Sequence, residues 1–112
     1  MLFKETHVPM ILNGTKTATR RVWKRPMVKV GGIYKAKLQM LSKDYFAKIK
    51  ITKLYQQHLW EIKKEDVLKE GYKTLKGFRE IWIKINGVWD SDSKVDVIEF
   101  ELIKEKSAKV LK

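Results

Sequence analysis

Alternating apolar and polar residues in the first half of the chain predict two β-strands. Strands are predicted for residues 33–41 and residues 46–54, where apolar side chains alternate with Lys35, Lys37 and Gln39 in the first segment and with Lys48, Lys50 and Thr52 in the second. The apolar faces consist of Tyr34, Ala36, Leu38 and Met40 in the first segment and of Ala47, Ile49 and Ile51 in the second. A period of two residues is typical of strands with one buried face, so a half-buried antiparallel sheet is expected.

A third strand is predicted for residues 95–103, where β-branched and aromatic residues are dense. Its apolar phase slips by one position between Val97 and Ile98, which predicts a β-bulge. Residues 15–23 are polar, basic and rich in threonine, which is typical of a loop that leads into a strand.

The period changes to that of a helix in the third quarter of the chain. Residues 63–70 predict a short helix that ends at Gly71, because glycine readily adopts the left-handed conformation that terminates helices. Thr74 is a suitable N-cap for a second helix that extends to about Ile85. Its predicted buried stripe consists of Leu75, Phe78, Trp82 and Ile85. A strand is the alternative for residues 81–85, and the helix is preferred because the stripe spans three turns.

The order of these elements indicates the fold class. Residues 7–13 predict a helical turn that ends at Gly14. Strands on both sides of short helices are typical of an α+β fold with a mostly antiparallel sheet, which can curl into a barrel. The chain, residues 1–112, is expected to form a single domain with a frayed basic tail from about Lys104.

Charge is distributed unevenly along the chain. The 25 lysines and arginines exceed the 13 acidic residues by 12. Thirteen basic and two acidic residues precede Leu59, whereas the two signs nearly balance in the remainder. A basic half of this kind suits a polyanion such as nucleic acid or a phosphorylated ligand. A lysine-rich surface that serves only solubility is the alternative.

Composition excludes several classes of site. Without cysteine there is no disulfide scaffold and no cysteine-based metal or nucleophile site. Two histidines, His7 and His58, are too few for an all-histidine metal site, so no metal or cofactor is expected. No apolar run approaches the roughly 18 residues of a membrane span, and a signal peptide is not evident. A cytoplasmic protein without membrane contact is expected; its oligomeric state stays open, with a monomer assumed.

The segment from Ile11 to Arg21 resembles the signature of the ASCH domain family. That signature is an apolar pair, one residue, Gly, one residue, Lys-Thr, one residue, Thr and Arg, as in Ile11-Leu12, Gly14, Lys16-Thr17, Thr19 and Arg20. A second family element, Glu-Gly-aromatic followed by a helix, resembles Glu70-Gly71-Tyr72, Phe78 and Trp82. One departure is Gly31-Gly32, where the family usually has Gly-Asp.

The resemblance covers nearly the whole chain and implies a PUA-like fold. That fold is a mostly antiparallel β-barrel with two or three short helices and a cleft beside the motif loop. Family proteins are proposed to bind RNA, some bacterial relatives resemble amidohydrolases that deacetylate acetylcytidine, and at least one branch is reported as ribonuclease. For the amidohydrolase branch, the resemblance implies a catalytic set of Lys16, Thr19 and Glu70.

The residue types are compatible with amide hydrolysis. A threonine hydroxyl needs a base that removes its proton, and a lysine amine serves as that base if burial or nearby cations lower its pKa. Glu70 would orient a substrate amine or relay a proton. Lys16 and Thr19 are three residues apart and would face opposite sides of a regular strand, so catalysis requires a loop or bulge between them.

A binding site built from the same region is the alternative. Cations and threonine hydroxyls hold phosphates, and an indole among cations stacks on a base. The predicted ligand-binding residues are Lys16, Thr17, Arg20, Arg21, Trp23, Lys24 and Arg25. Trp23 has core packing as its other interpretation, and Trp60, Trp82 and Trp89 are expected to pack.

Three functional hypotheses follow. The first is an RNA-binding or RNA- or nucleoside-processing domain with a basic cleft. The second is an amidohydrolase acting on acetylcytidine, and the third is a non-catalytic interaction module linked to translation. Whether the protein is an enzyme stays open at this point.

Overall fold

The computed structural model describes residues 1–105, in which four strands and three short helices occur. The strands are β1 (Ala18–Arg21), β2 (Ile33–Ala36), β3 (Ala47–His58) and β4 (Lys94–Glu105). The helices are α1 (Val8–Leu12), α2 (Lys64–Lys69) and α3 (Leu75–Asn86), with 3-10 turns at Glu5–His7 and Leu59–Glu61. None of these helices has the length and apolar content needed to cross a membrane. Most of the predicted basic tail lies outside the described residues.

The four strands form one antiparallel sheet in the order β1-β4-β3-β2. The N-terminal segment runs between the two edges of this sheet. Leu2 forms a parallel bridge with Lys37 beyond β2, and the Arg21 guanidinium of β1 donates a hydrogen bond to the Leu2 carbonyl at 2.6 Å. The sheet is therefore a half-barrel, and the predicted α+β class with an antiparallel sheet and short helices is confirmed.

Residues 95–98 of β4 are buried on both faces, which explains why apolar residues occupy both phases of this segment. Val95 and Val97 pack in a cluster with Phe78 and Trp82 of α3, whereas Ile98 belongs to the cluster on the opposite face. The predicted bulge between Val97 and Ile98 is wrong, because the register is unbroken there against both neighbouring strands. The apparent phase slip reflects two apolar environments, one on each face of the strand.

Two predicted strand lengths are wrong. β2 ends at Ala36 rather than at 41, because Lys37 instead pairs with the N-terminal segment. The apolar residues that follow are exposed, namely Leu38, Met40 and Leu41. β3 continues to His58 rather than stopping at 54, because its ladder with β4 extends to the start of that strand.

α3 spans the predicted helix, so the strand alternative for its last turns is wrong. Thr74 caps it as expected, since its hydroxyl accepts a hydrogen bond from the backbone of the first turn at 3.1 Å. Phe78 and Trp82 are buried, but Leu75 and Ile85 are 41% and 47% exposed. The buried stripe is thus narrower than the pattern indicated.

Gly32, at the position of the family's aspartate, lies beneath a tyrosine ring. A Cβ atom at this position would lie 2.7 Å from the Tyr34 ring, and the Tyr34 hydroxyl accepts a hydrogen bond from the Lys29 backbone at 2.9 Å. Glycine therefore leaves the space that the Tyr34 side chain occupies, and a carboxylate here would require that ring to move.

Candidate functional site

The loop between α1 and β1 positions Lys16 beside the end of α2. Gly14 follows α1 with a φ of +82°, a left-handed conformation that glycine adopts without strain. The Lys16 backbone then donates to the Met10 carbonyl at 2.9 Å. Lys16 lies in this loop and Thr19 lies on β1, so the two residues do not occupy one regular strand. The requirement that a loop or bulge lie between Lys16 and Thr19 is therefore met.

The Lys16 ammonium is buried, with the residue only 2% exposed. It donates to the Ala18 carbonyl at 2.9 Å, the Glu70 carbonyl at 3.2 Å and Glu70 Oε1 at 3.0 Å. These contacts use all three protons of an ammonium group. Burial lowers the pKa of Lys16, the Glu70 carboxylate acts in the opposite direction, and Arg21 and Arg20 add to the lowering.

The Glu70 carboxylate lies between two cations. Oε1 accepts from Lys16, and Oε2 accepts from Arg20 Nη1 at 2.9 Å. Gly71 follows with a φ of +98°, and a Cβ atom there would lie 2.8 Å from the Met10 sulfur. Glycine thus permits both the end of α2 and the close approach of α1. A carboxylate at a helix C-terminus opposes the helix dipole, and here two buried cations compensate for that.

Arg20 connects this carboxylate to the long strand β3. Its Nε and Nη2 both donate to Gln57 Oε1, at 3.0 and 2.7 Å, and Nη2 lies 3.6 Å from Asp66 Oδ2. The Arg20 side chain is 1% exposed. One guanidinium is therefore shared by a charged partner, Glu70, and a neutral one, Gln57.

Arg21 and Thr19 lie on the other face of β1. The half-buried Arg21 places its guanidinium 5.0 Å from the centre of the Phe3 ring, and its Nε lies 3.4 Å from the Thr19 hydroxyl oxygen. Within the described part of the chain, Arg21 forms no salt bridge. Its charge is therefore less compensated than the charges of Lys16 and Arg20.

These side chains line one cavity of about 330 Å³. Its polar lining consists of Lys4, His7, Lys16, Thr19, Arg20, Arg21, Glu70 and Asn86. α3 contributes an apolar wall, made by Phe78, Ile81, Trp82 and Ile85. The volume falls at the lower end of the roughly 300–1,000 Å³ that small-molecule sites occupy.

His7 lies in the cavity lining, and its pKa depends on burial and on the nearby cations. Its Nε2 lies 2.7 Å from the Tyr72 hydroxyl. Burial, followed by the nearby charges of Lys16, Arg21 and Lys4, lowers the pKa of His7 to about 4. The imidazole is therefore neutral at pH 7, and the potential around it is positive.

The remaining predicted binding residues lie outside the cavity lining. The Thr17 backbone donates to the Lys69 carbonyl at 2.8 Å and holds the loop against α2. Trp23 is half-buried and packs against the apolar cluster that contains Phe3 and Ile98. Lys24 and Arg25 are exposed on the segment that follows β1.

Several parts of the site were absent from the predicted set, among them Lys4, His7, Gln57 and the wall formed by α3. His7 appeared only as part of a helical turn, with no chemical signal attached to it. Gln57 is 37 positions from Arg20, and only the strand register brings the two together. The apolar wall was predicted as part of the core, because a buried stripe alone does not distinguish a core face from a cavity wall.

Comparisons with known proteins agree with this architecture. The sequence model of the ASCH domain matches residues 2–104. The ASCH domain structure from Lactobacillus crispatus superposes with a TM-score of 0.69 at 17% identity, covering 87% of this chain and 70% of that one. A protein from Enterococcus faecalis gives 0.71 at 18% identity, covering 96% and 72%. ASCH from Zymomonas mobilis gives 0.59 at 13% identity, covering 94% and 69%. These identities support the fold alone, and a search of curated proteins finds no match.

Proposed function

The chain belongs to the ASCH domain family, and from that premise we propose that its cavity binds a nucleoside-type unit of RNA. The observation that carries the proposal is that cations and an apolar wall line the same cavity. A nucleotide combines flat apolar base faces, a polar base edge and an anionic phosphate. A cavity with both kinds of lining complements all three.

The base would lie against the α3 wall. Ile81 is half-buried and Ile85 is 47% exposed, so both offer apolar surface that a base can cover. The base edge would then reach the Thr19 hydroxyl and the remaining lone pairs of the Glu70 carboxylate, which supply a donor and acceptors in fixed positions.

The phosphate would depend on cations that are not already neutralised. Lys16 and Arg20 both bind Glu70, whereas Arg21 and the exposed Lys4 form no salt bridge within the described residues. Arg21 and Lys4 are therefore the proposed phosphate contacts. Lys24 and Arg25 would extend the contact along the RNA backbone outside the cavity.

Fluorescence anisotropy with a labelled single-stranded RNA of a few nucleotides tests this proposal. Contact with about three phosphates weakens binding roughly tenfold between 50 and 200 mM salt, because fewer counterions are released at high salt. Arg21→Gln and Lys4→Gln should both reduce affinity and flatten the salt dependence. Lys76→Gln, an exposed lysine of α3 outside the cavity lining, is the matched control. Binding that ignores salt, or that survives Arg21→Gln unchanged, would contradict the proposal.

A second function, hydrolysis of the acetyl amide of acetylcytidine, is favoured because Lys16, Thr19 and Glu70 line the same cavity. The Thr19 oxygen would attack the acetyl carbonyl carbon as its proton passes to a base. The C–N bond would then break, the amine would leave with a proton, and water would release acetate from Thr19. Lys16 can act as the base only after it loses one of its three protons. Because burial lowers the pKa of Lys16, the rate should rise with pH.

This second function is tested by incubation with acetylcytidine and chromatographic measurement of cytidine. Thr19→Val keeps the shape of the side chain and removes the hydroxyl, so it should abolish turnover if Thr19 is the nucleophile. Lys16→Met should do the same if Lys16 is the base. Thermal unfolding of each variant establishes that it is folded, and activity that persists in both folded variants would exclude these roles.

A further inference from the structure

A second hollow lies on the other side of the Arg20 guanidinium. Whereas Nη1 of Arg20 contacts Glu70 in the cavity, Nε and Nη2 contact Gln57, which lines this hollow. The hollow is an open groove of about 820 Å³ between β3, the turn Leu59–Glu61 and α2. We call it the aromatic groove, because Tyr55 and Trp60 line it.

Trp60 lines this groove with its side chain exposed to solvent, while its backbone and its ring contact neighbouring residues. The expectation that it packs is wrong, since the residue is 61% exposed. Its backbone donates to the Ser91 carbonyl at 2.9 Å, and its ring lies nearly parallel to the His58 ring, 13° apart with centroids at 6.1 Å. Tyr55, which is 37% exposed, provides a second aromatic surface. Two exposed aromatic side chains that line one concave site are suited to bind a ligand.

The groove is acidic, although the chain as a whole carries a net charge of +12. Its lining includes three carboxylates, those of Glu61, Glu65 and Asp66, against two lysines. One of these lysines, Lys69, is paired with Glu99 at 3.4 Å. The lining of the groove therefore holds one more acidic than basic side chain, and Asp66 is itself paired with Arg20 at 3.6 Å.

The pKa of the Tyr55 hydroxyl also depends on charges in and beside the groove. Burial raises the pKa of Tyr55, and the nearby carboxylates of Glu99 and Asp66 raise it further. The raising effects of Glu99 and of Asp66 are each larger than the lowering effect of Arg20 or of Lys69. The two carboxylates therefore outweigh the two cations in their effect on the pKa of Tyr55.

We propose that the aromatic groove binds a small organic cation with an alkylated ammonium head. The cation would lie against the faces of Trp60 and Tyr55, and the carboxylates of Glu61 and Glu65 would balance its charge. Aromatic faces attract cations through the ring quadrupole, most strongly for tryptophan, and alkylated ammonium groups lose little hydration on contact. RNA is the less suitable occupant, because three carboxylates repel its phosphates. This site is separate from the cavity and does not depend on the function proposed for it.

Nuclear magnetic resonance of the full chain provides the test, with the Trp60 indole N–H signal assigned from Trp60→Phe. The probe is choline, and the control ligand is dimethylbutanol, which has the same shape without the charge. At constant ionic strength, choline should shift the Trp60 signal saturably, with about tenfold higher affinity than dimethylbutanol. Trp60→Leu should abolish the choline response at Tyr55. Glu61→Gln combined with Glu65→Gln should weaken binding severalfold, whereas Glu80→Gln, an exposed carboxylate of α3, should not.

Several outcomes would overturn the proposal. Equal affinity for choline and dimethylbutanol would show that charge plays no part, and the absence of a saturable shift would show that the groove is not a ligand site. A shift of the Trp60 signal by single-stranded RNA, without one by choline, would identify a base-stacking surface instead.

Discussion

The cavity and the aromatic groove share the Arg20 guanidinium but differ in the sign of their potential. Burial and then nearby cations lower the pKa of His7 in the cavity, whereas burial and then nearby carboxylates raise the pKa of Tyr55 in the groove. Arg20 itself is partly neutralised on both sides, by Glu70 and by Asp66. The difference therefore arises from the neighbours of Arg20. It teaches that an excess of basic residues along the chain does not determine the field in any one hollow.

The two hollows also differ in how their charges are exposed. In the cavity, Lys16, Arg20 and Glu70 are each at most 5% exposed, so each charge depends on its partner. In the groove, Glu61 and Glu65 have substantial contact with water. Equivalent substitutions in the two places should thus have unequal effects on stability.

Removal of the central carboxylate should produce the largest effect. Glu70→Gln leaves the buried Lys16 and Arg20 without their shared charged partner. Loss of one partner of a buried ion pair costs about 3–5 kcal/mol, and urea unfolding of the variant measures it. The same change in the groove, Glu65→Gln, should alter stability by less than about 0.5 kcal/mol. Similar losses of stability in both variants would contradict the expectation that the buried charges of the cavity depend more strongly on their partners than the exposed charges of the groove do.

The boundary between the two hollows is tested by the neutral partner of Arg20. Gln57→Met leaves the buried Nε and Nη2 of Arg20 without their acceptor, which should cost about 1–3 kcal/mol. Gln39→Met is the matched control, because the Gln39 side chain is exposed on the segment that follows β2. If urea midpoints fall equally in both variants, Gln57 has no special part in holding Arg20.

The lowered pKa of His7, caused by burial and then by the nearby cations, predicts a dependence of stability on pH. His7 titrates near pH 6.5 in the unfolded chain and near 4 in the folded protein. Its neutral form therefore stabilises the fold fully above pH 6.5, and this stability is lost as the pH falls toward about 4. Between pH 7 and pH 5 the free energy of unfolding should fall by on the order of 1–2 kcal/mol, with allowance for partial solvent access. In His7→Gln this decline should disappear, and its persistence would assign it to another group.

The smallest effect on stability is expected at the exposed ring of the groove. Trp60→Leu removes a side chain that is 61% exposed, so the free energy of unfolding should change by less than about 0.5 kcal/mol. The melting temperature should therefore change little. Trp82→Leu, at a position only 5% exposed in the cavity wall, should cost about 2 kcal/mol or more. A marked loss of stability in Trp60→Leu would mean that this ring is structural and would weaken the ligand hypothesis for the groove.

The elements and part of the cavity could be predicted because their signals are local. Gly14 and Gly71 marked the ends of α1 and α2, and the motif between Ile11 and Arg21 identified Lys16 and Thr19. Glu70 followed from the resemblance and from its unusual position at a helix end. Each of these signals lies within a few residues of the feature that it predicts.

The features that could not be predicted depend on contacts between distant segments. Gln57 meets Arg20 only through the register of three strands, and the phase slip in β4 required knowledge that both of its faces are covered. Trp60 was expected to pack, as tryptophans usually do, because its exposure depends on the turn that follows β3. Local periodicity carries no information on such relations.

The central claim is that the cavity, and not the acidic groove, receives the nucleoside-type unit of RNA. Chemical-shift mapping of the full chain with a short single-stranded RNA tests it most directly. The claim predicts that the backbone signals of Thr19 and Arg21 and the indole signal of Trp82 shift, while the Trp60 indole signal stays in place. Shifts confined to Trp60 and Tyr55, with Thr19 and Arg21 unchanged, would contradict it.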